Sequence, residues 1–429
     1  MEQKLDIVVF GATGFTGKFV VQELNKYATK NKGISWGIAG RSETKLKQLL
    51  VDLEIVKEGS DSESVPIIIA NVEDESSLLK MTNRARLIIN CCGPYRFFGE
   101  SVVKACIQTK THHVDISGEP QYMEKIQLDY NKAAQEHEIY IISACGFDSI
   151  PADMGVIYLS QKFNGTLNAV ESYLDSTVKG RIDGAVIHYA TWESAIYGFA
   201  HANELKSLRS KLYPEKLPVM KPRIKQRFAV HQNPIKDGAW AVPFPGSDRS
   251  VVLRSQRFFY EQNRQRPIQM QAYLTVRSWL TLLMLAIFGG LFSFFSRFDF
   301  GRQLLLKYPK IFSCGYVSHE GPSEELMKNT KFEMTFIGEG WSSDKKLCEG
   351  SDQYSEPPNK TIIGKVSGTD PGYGATSLMV LWCAITVLKE TDKLPNKGGV
   401  FTPGAAFANT SLISELDKQG IEFKLLDEK

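Results

Sequence analysis

Residues 7–21 read IVVFGATGFTGKFVV, and the fold turns on them. An apolar β-branched run ends in three glycines spaced three apart, and a helix-forming stretch follows. Gly11 lets the chain turn tightly, Gly14 lets backbone N–H groups approach an anion, and Gly17 lets helix and turn pack closely. Ala12, Thr13, Phe15 and Thr16 complete the cradle. A glycine triplet between a strand and a helix is the pattern that seats a dinucleotide pyrophosphate on a helix N-terminus.

Downstream, the alternation continues. Strands are expected at Asp6–Phe10, Ser35–Ala39, Pro66–Ala70, Leu87–Cys92, His112–Ile116 and Ile139–Ala144. Helices are expected at Thr16–Tyr27, Glu43–Val51, Asp74–Met81, Ser101–Gln108 and Gln121–Glu136. Strict alternation implies right-handed βαβ units and an α/β fold: a six-stranded, doubly wound parallel sheet of Rossmann type, residues 1–150. No acidic residue lies between Glu23 and Glu43, where an NAD binder holds its ribose, and the second strand ends in AGRS. Arg41, with Ser42, therefore points to the 2′-phosphate of NADP(H) over NAD(H). Asn71 and Val72 end the third strand beside the adenine. The fourth ends in NCCGPY, placing Asn90, Cys92, Gly93 and Pro94 at the carboxyl edge.

The pattern changes past residue 150. A second α/β (α+β) domain is expected at 151–370, with a strand over Leu167–Ser176, a basic Pro-rich loop at Tyr213–Arg227, and antiparallel strands at Lys331–Trp341 and Lys360–Gly368 joined by a polar loop. Residues 371–429 hold a helix near Ala375–Lys389 and a Gly/Pro turn, GGVFTPGAAF. Residues 278–296, nineteen uncharged residues about 28 Å long as a helix, contain WLTLLMLAIFGGLFSFF. Glycines 289 and 290 are expected to interrupt it.

Composition is ordinary for 429 residues, with a net charge of +3 and no basic stripe, which argues against nucleic acid. Seven scattered cysteines without a CxxC pair read as reduced thiols, and no metal-ligand spacing occurs around His112 and His113. The N-terminus lacks a secretory pattern, so a cytosolic setting is expected.

Asp115, Glu119, Asp148 and Ser149 stand at later strand ends and could face the cofactor crevice. Tyr95, Asp148 and Ser149 are the candidate catalytic groups. Asp148 and Ser149 equally suit helix capping. Thr191, Ser194 and Tyr197 form a weaker set that also reads as a helix start with buried aromatics. Tyr158 and Lys162 match the Tyr-x-x-x-Lys spacing of proton-transferring pairs. With sixteen tyrosines such a match arises by chance, and the pair reads as structural.

GATGFTG, AGRS, NCCGPY, VDISGE, GFDSIPADMG and GGVFTPGAAF, in this order, closely resemble the eukaryotic saccharopine dehydrogenase-like oxidoreductases over essentially the whole chain. The wider family includes lysine-pathway saccharopine reductases and bacterial trans-acting enoyl reductases of glycolipid synthesis. The resemblance implies a Rossmann domain, a second α/β domain, a C-terminal segment packing back on the first, and a nicotinamide cofactor. It also implies association with lipid droplets. Lysine-pathway enzymes use GxGxxG where this chain has GxxGxxG, and they lack the apolar run, so saccharopine is disfavoured as substrate. If the C-terminal segment returns to the Rossmann domain, one membrane crossing is excluded. The run is then a core helix, or a monotopic helix or hairpin that holds the protein against a membrane or droplet monolayer. The expected function is an NADP(H)-dependent oxidoreductase at the cytosolic face of a membrane or droplet, acting on a small or lipid-like C=C, C=O or C=N substrate. The alternatives are a non-catalytic NADPH-binding droplet protein and a saccharopine-type dehydrogenase. A homodimer is compatible with each.

Overall fold

The computed structural model describes residues 4–57, 65–180, 184–344 and 354–428. Half of the polar loop expected before Lys360, residues 345–353 with Cys348, lies outside them. The chain forms two compact units. One is Met1–Phe147 with Gly372–Phe401 and Asn409–Leu412; the other is Asp148–Pro371 with Thr402–Ala408 and Ile413–Lys429. The last sixty residues thus divide between the units, where the sequence suggested a return to the first alone.

In chain order the elements begin with β1 (Leu5–Phe10), α1 (Phe15–Lys30), β2 (Trp36–Gly40), α2 (Glu43–Asp52), β3 (Ile67–Ile69), α3 (Glu75–Asn83), β4 (Ala85–Asn90), α4 (Tyr95–Thr109), β5 (His112–Asp115), α5 (Pro120–Glu136) and β6 (Tyr140–Ile142). Next come α6 (Ile150–Lys162), β7 (Gly165–Val178), β8 (Ile187–His188), α7 (Tyr189–Ala200), α8 (Glu204–Leu212), β9 (His231–Gln232), β10 (Trp240–Pro243), α9 (Asp248–Asn263) and β11 (Gln269–Val276). Then follow α10 (Trp279–Phe295), α11 (Asp299–Lys307), α12 (Pro309–Phe312), β12 (Val317–Ser318), α13 (Glu324–Asn329), β13 (Thr330–Ser342) and β14 (Lys360–Thr369). The chain closes with α14 (Thr376–Lys389), β15 (Gly399–Phe401), α15 (Pro403–Phe407), α16 (Leu412–Lys418) and β16 (Glu422–Glu428).

In the first unit the sheet order is β15-β6-β5-β4-β1-β2-β3, every neighbour parallel. This is the doubly wound Rossmann order, with its crossover between β1 and β4. The expected six strands are present, and a seventh joins them. GGVFTPGAAF is not a turn: Gly399–Phe401 is the edge strand β15, and the Asn131 side chain accepts from Val400 N at 2.9 Å. Strands of a parallel sheet are apolar on both faces and need cover on both. Helix α14 packs beside α1 and against β4 and β5, burying Met379, Val380, Leu381, Ile385 and Val387.

The second unit carries a mixed seven-stranded sheet, β16-β14-β13-β7-β11-β10-β9. The expected antiparallel pairing of β13 and β14 is present. Helix α6 packs on β13 so closely that a Cβ at Gly155 would lie 2.4 Å from the Phe336 ring. Buried acids on β7 find cations from nearby loops: Glu171 receives two bonds from Arg227, each 2.6 Å, and Asp175 pairs with Lys236 and Arg277.

Helix α10 leaves the end of β11 and is capped by Ser278, whose hydroxyl accepts from Leu280 N at 3.2 Å. It runs unbroken through Gly289 and Gly290, contrary to the expected interruption. A glycine costs a helix only about 1 kcal/mol, and both sit where an added Cβ would meet nothing within 4 Å. No residue of α10 is buried, so the helix is not core.

Candidate functional site

The carboxyl edge of the first sheet gathers the glycine turn and the strand ends around it. Gly11 has φ +80, a left-handed backbone, and its N–H donates to Ala39 O at 3.0 Å. A Cβ there would lie 2.7 Å from Cys92 Sγ, and one at Gly17 would lie 2.1 Å from Gly11 O. Gly11 and Gly17 thus form a turn that no side chain can fill, directly before the sixteen-residue α1. Gly14 is the N-cap of α1 and makes no side-chain cap bond. The turn therefore fits a pyrophosphate, which would meet the N–H groups of the first helical turn.

Arg41 stands just past β2, exposed, while Ser42 caps α2 by accepting from Lys45 N at 3.4 Å. The Arg41 guanidinium is close enough to act electrostatically on Cys92, although desolvation dominates and holds that thiol up at about 12. Arg41, Cys92 and Gly11 thus converge on one edge. Burial likewise raises the Cys91 thiol, so neither cysteine is a thiolate nucleophile. Asn71 and Val72 sit in the loop after β3, where the Asn71 side chain accepts from Glu73 N at 3.3 Å. Asn90 accepts from Cys92 N at 3.0 Å and fixes the turn into the cis Gly93–Pro94 bond.

Other strand-end groups are engaged in holding this edge together. Tyr95 is buried, donates to Asn90 O at 2.8 Å, and its hydroxyl is raised well above the ordinary range by burial. Glu119 accepts from Tyr95 N and Arg96 N, each at 2.9 Å, and so caps α4 instead of facing the crevice. Asp115 accepts from Ser117 N, Ala144 N, Ser143 Oγ and Tyr122 Oη at 2.8–3.3 Å. Desolvation outweighs those bonds and lifts its carboxyl to about 6. His113 stays neutral, desolvation lowering it to about 3, so its 3.9 Å approach to Asp115 is no ion pair. Among the described residues no cluster of three metal-ligating side chains occurs.

Comparison with known proteins gives this edge a family. Residues 7–142 match the saccharopine dehydrogenase NADP binding domain. The chain is 42% identical over 430 residues to the human saccharopine dehydrogenase-like oxidoreductase, covering 99% of this chain and 98% of that one. The chain belongs to the saccharopine dehydrogenase-like oxidoreductases. It is also 36% identical to a lipid droplet localized protein of Caenorhabditis elegans, with 99% of each chain covered. Saccharopine dehydrogenase (L-Glu forming) of Saccharomyces cerevisiae superposes over 99% of both chains with a TM-score of 0.54 at 14% identity, a likeness of fold.

As in its sequence motifs, this family member joins GFDSIPADMG to FTPGAAF. In the second unit Asp153 accepts from Ser255 Oγ at 2.7 Å and Gly404 N at 2.6 Å, and Ser255 bonds Thr402 at 2.5 Å. A Cβ on Gly404 would strike that carboxylate, at 2.5 Å. Asp148 accepts from Ser247 Oγ at 3.0 Å, and Ser149 Oγ lies 3.0 Å from the same hydroxyl. Although Asp148 is only half-buried, desolvation raises its carboxyl to about 6. Thr191, Ser194 and Tyr197 lie on α7, as a helix start would have them. On α6, Tyr158 packs against Phe423 and carries Lys162 over its ring at 5.8 Å, a packing arrangement.

One neighbour of the glycine turn escapes sequence reasoning. Phe15 meets Tyr373 edge-on at 4.5 Å, and Lys18 lies over Phe15 at 4.7 Å. Tyr373 belongs to a π-turn, Pro371–Ala375, and no local pattern announces a contact so distant along the chain.

Proposed function

We propose that this chain is an NADP(H)-dependent oxidoreductase that works at a lipid surface on a lipid-like substrate. One observation carries the lipid part: α10 leaves Trp279 70%, Leu280 53%, Ile287 50% and Phe294 56% exposed, with no polar face to explain them. Bound NADPH would supply hydride to a polarised C=C, C=O or C=N bond, and the chain's part is to hold the two in register. Gly11, Gly14 and Gly17 would seat the pyrophosphate and Arg41 the 2′-phosphate. The droplet name of the worm relative supports the location.

Two measurements test it. Titration with NADPH and NADH should show preference for NADPH, and Arg41→Ala should weaken NADPH by about 10- to 100-fold, the scale of a charged hydrogen bond, while leaving NADH unchanged. Equal affinities in the native chain would remove the NADP(H) assignment. Flotation with droplets should succeed for the full chain and fail without residues 278–296. A second reading rests on Tyr95, Asp115 and Glu119 being engaged structurally: a cofactor-bound droplet protein without turnover. It predicts tight NADPH binding and no oxidation with any enoyl or carbonyl lipid.

A further inference from the structure

Six of the seven exposed large apolar side chains of α10 share one face, and Leu285, 43% exposed, stands apart from them. At 3.6 residues per turn, Trp279, Leu280, Leu283, Ile287, Leu291 and Phe294 fall within a sector of about 120° that runs from the first turn to the last. Each is at least 41% exposed. On the other side, Phe292 packs edge-on against Trp192 at 4.9 Å and Phe199 at 5.3 Å of α7, and Phe295 against Phe312 of α12 at 5.4 Å. Gly301 of α11 is pressed under Phe295, where a Cβ would lie 2.2 Å from the carbonyl oxygen. These contacts tie the last turn of α10 to α7, α11 and α12, and the helix cannot swing upright without breaking them.

Apolar exposure continues past the helix. Phe298, Phe300 and Ile311 are 52%, 71% and 69% exposed. They alternate with Arg297, Lys307 and Lys310. Residues 277–319 hold five Arg or Lys and a single acid, Asp299, which is paired with Arg302. Among the described residues Arg297 and Lys307 make no ion pair, and Lys310 reaches Glu320 only at 3.9 Å.

We propose, building on the lipid-surface reading above, that α10 lies flat in an anionic phospholipid surface and that Phe298, Phe300 and Ile311 form a second foot beside it. The basic residues between the feet meet phosphate headgroups, each worth about 1 kcal/mol near such a surface. A second copy of the chain fits poorly, because a two-fold contact would set this basic patch against itself.

The test uses the full chain with phosphatidylcholine vesicles, with and without phosphatidylserine. Binding should be at least tenfold tighter with phosphatidylserine, and salt should weaken it. Lys307→Glu with Lys310→Glu should erase that preference while leaving residual binding to phosphatidylcholine. Phe300→Ser with Ile311→Ser should weaken binding at least tenfold with α10 intact. Spin labels at Leu280→Cys, Ile287→Cys and Phe294→Cys, in a Cys314→Ser background, should report one shallow depth. Depth increasing steadily along the helix, no phosphatidylserine preference, or dimerisation without vesicles in place of vesicle binding would each overturn the proposal. Loss of binding on deleting 278–296, with the foot variants unaffected, would overturn it while keeping the lipid-surface reading; binding that survives the deletion would sink that reading itself. NADPH affinity serves as the fold check for every variant.

Discussion

At the scale of single residues, the glycine turn was legible because its demands are local. Gly11, Gly14 and Gly17 announce a backbone that must stay bare, whatever the rest of the chain does. The Cβ of a Gly17→Ala variant would meet Gly11 O at 2.1 Å and Ala12 Cα at 3.0 Å, both backbone atoms that cannot swing aside. We expect a loss of about 1–3 kcal/mol, as for an overpacked core, together with weakened NADPH binding, read by thermal denaturation and fluorescence titration. Asp115 and Glu119 were harder. A carboxylate at a strand end looks alike in sequence whether it faces a crevice or caps a neighbour, and its partners Ser143, Tyr122 and Tyr95 are brought to it by the fold. Asp115 yields a pH prediction. Its native carboxyl, at about 6 through desolvation, holds a proton that the unfolded chain, near 3.9, has already released. Its contribution is therefore full below about pH 4 and is lost as pH rises through about 6. The scale is about 3 kcal/mol for a shift of about two units. Asp115→Asn keeps an oxygen for the Ser117 and Ala144 N–H groups and offers its amide to the Tyr122 and Ser143 hydroxyls. Urea midpoints of the native chain should fall, relative to this variant, between pH 4 and pH 7; parallel curves would show that Asp115 is ionised throughout.

Among the elements, length decided what could be read. β1, α1, α5, β13 and β14 are long enough to display their period, and the structure has them within a few residues of expectation. β15 is three residues between glycines, too short for any period, and only pairing with β6 makes it a strand. The opposite error occurred in α10, where two glycines suggested a break that the surrounding leucines and phenylalanines override. The continuous helix makes a direct prediction. Gly289 and Gly290 lie in open space with helical backbone, so Gly289→Ala with Gly290→Ala should stabilise α10 by about 1 kcal/mol per site. Helix content by circular dichroism should hold or rise, and vesicle binding should persist. A hairpin bent at those glycines would instead lose both.

At the level of the whole molecule, the chain alternates between its units in six segments, and the first unit cannot be completed until residue 412 has been made. Sequence alternation could show that 1–147 is a Rossmann half of the protein, yet not that its bare face is closed by a helix more than two hundred residues away. Met379, Val380, Leu381, Ile385 and Val387 of α14 are buried. Five such side chains contribute roughly 8–15 kcal/mol, which matches the whole of an ordinary domain's stability. Residues 1–147 alone should therefore be expressed as an expanded, dye-binding chain without near-ultraviolet dichroism. The remedy is built into the geometry: Phe147 N donates to Thr376 Oγ1 at 3.1 Å, so the end of the first segment lies beside the start of α14. Joining Phe147 to Gly372–Phe401 through a short Gly-Ser linker should restore both the cover and β15, and with them a cooperative melt and NADPH binding. If 1–147 alone bound NADPH as tightly as the full chain, α14 would be an ornament of the fold and not part of its core.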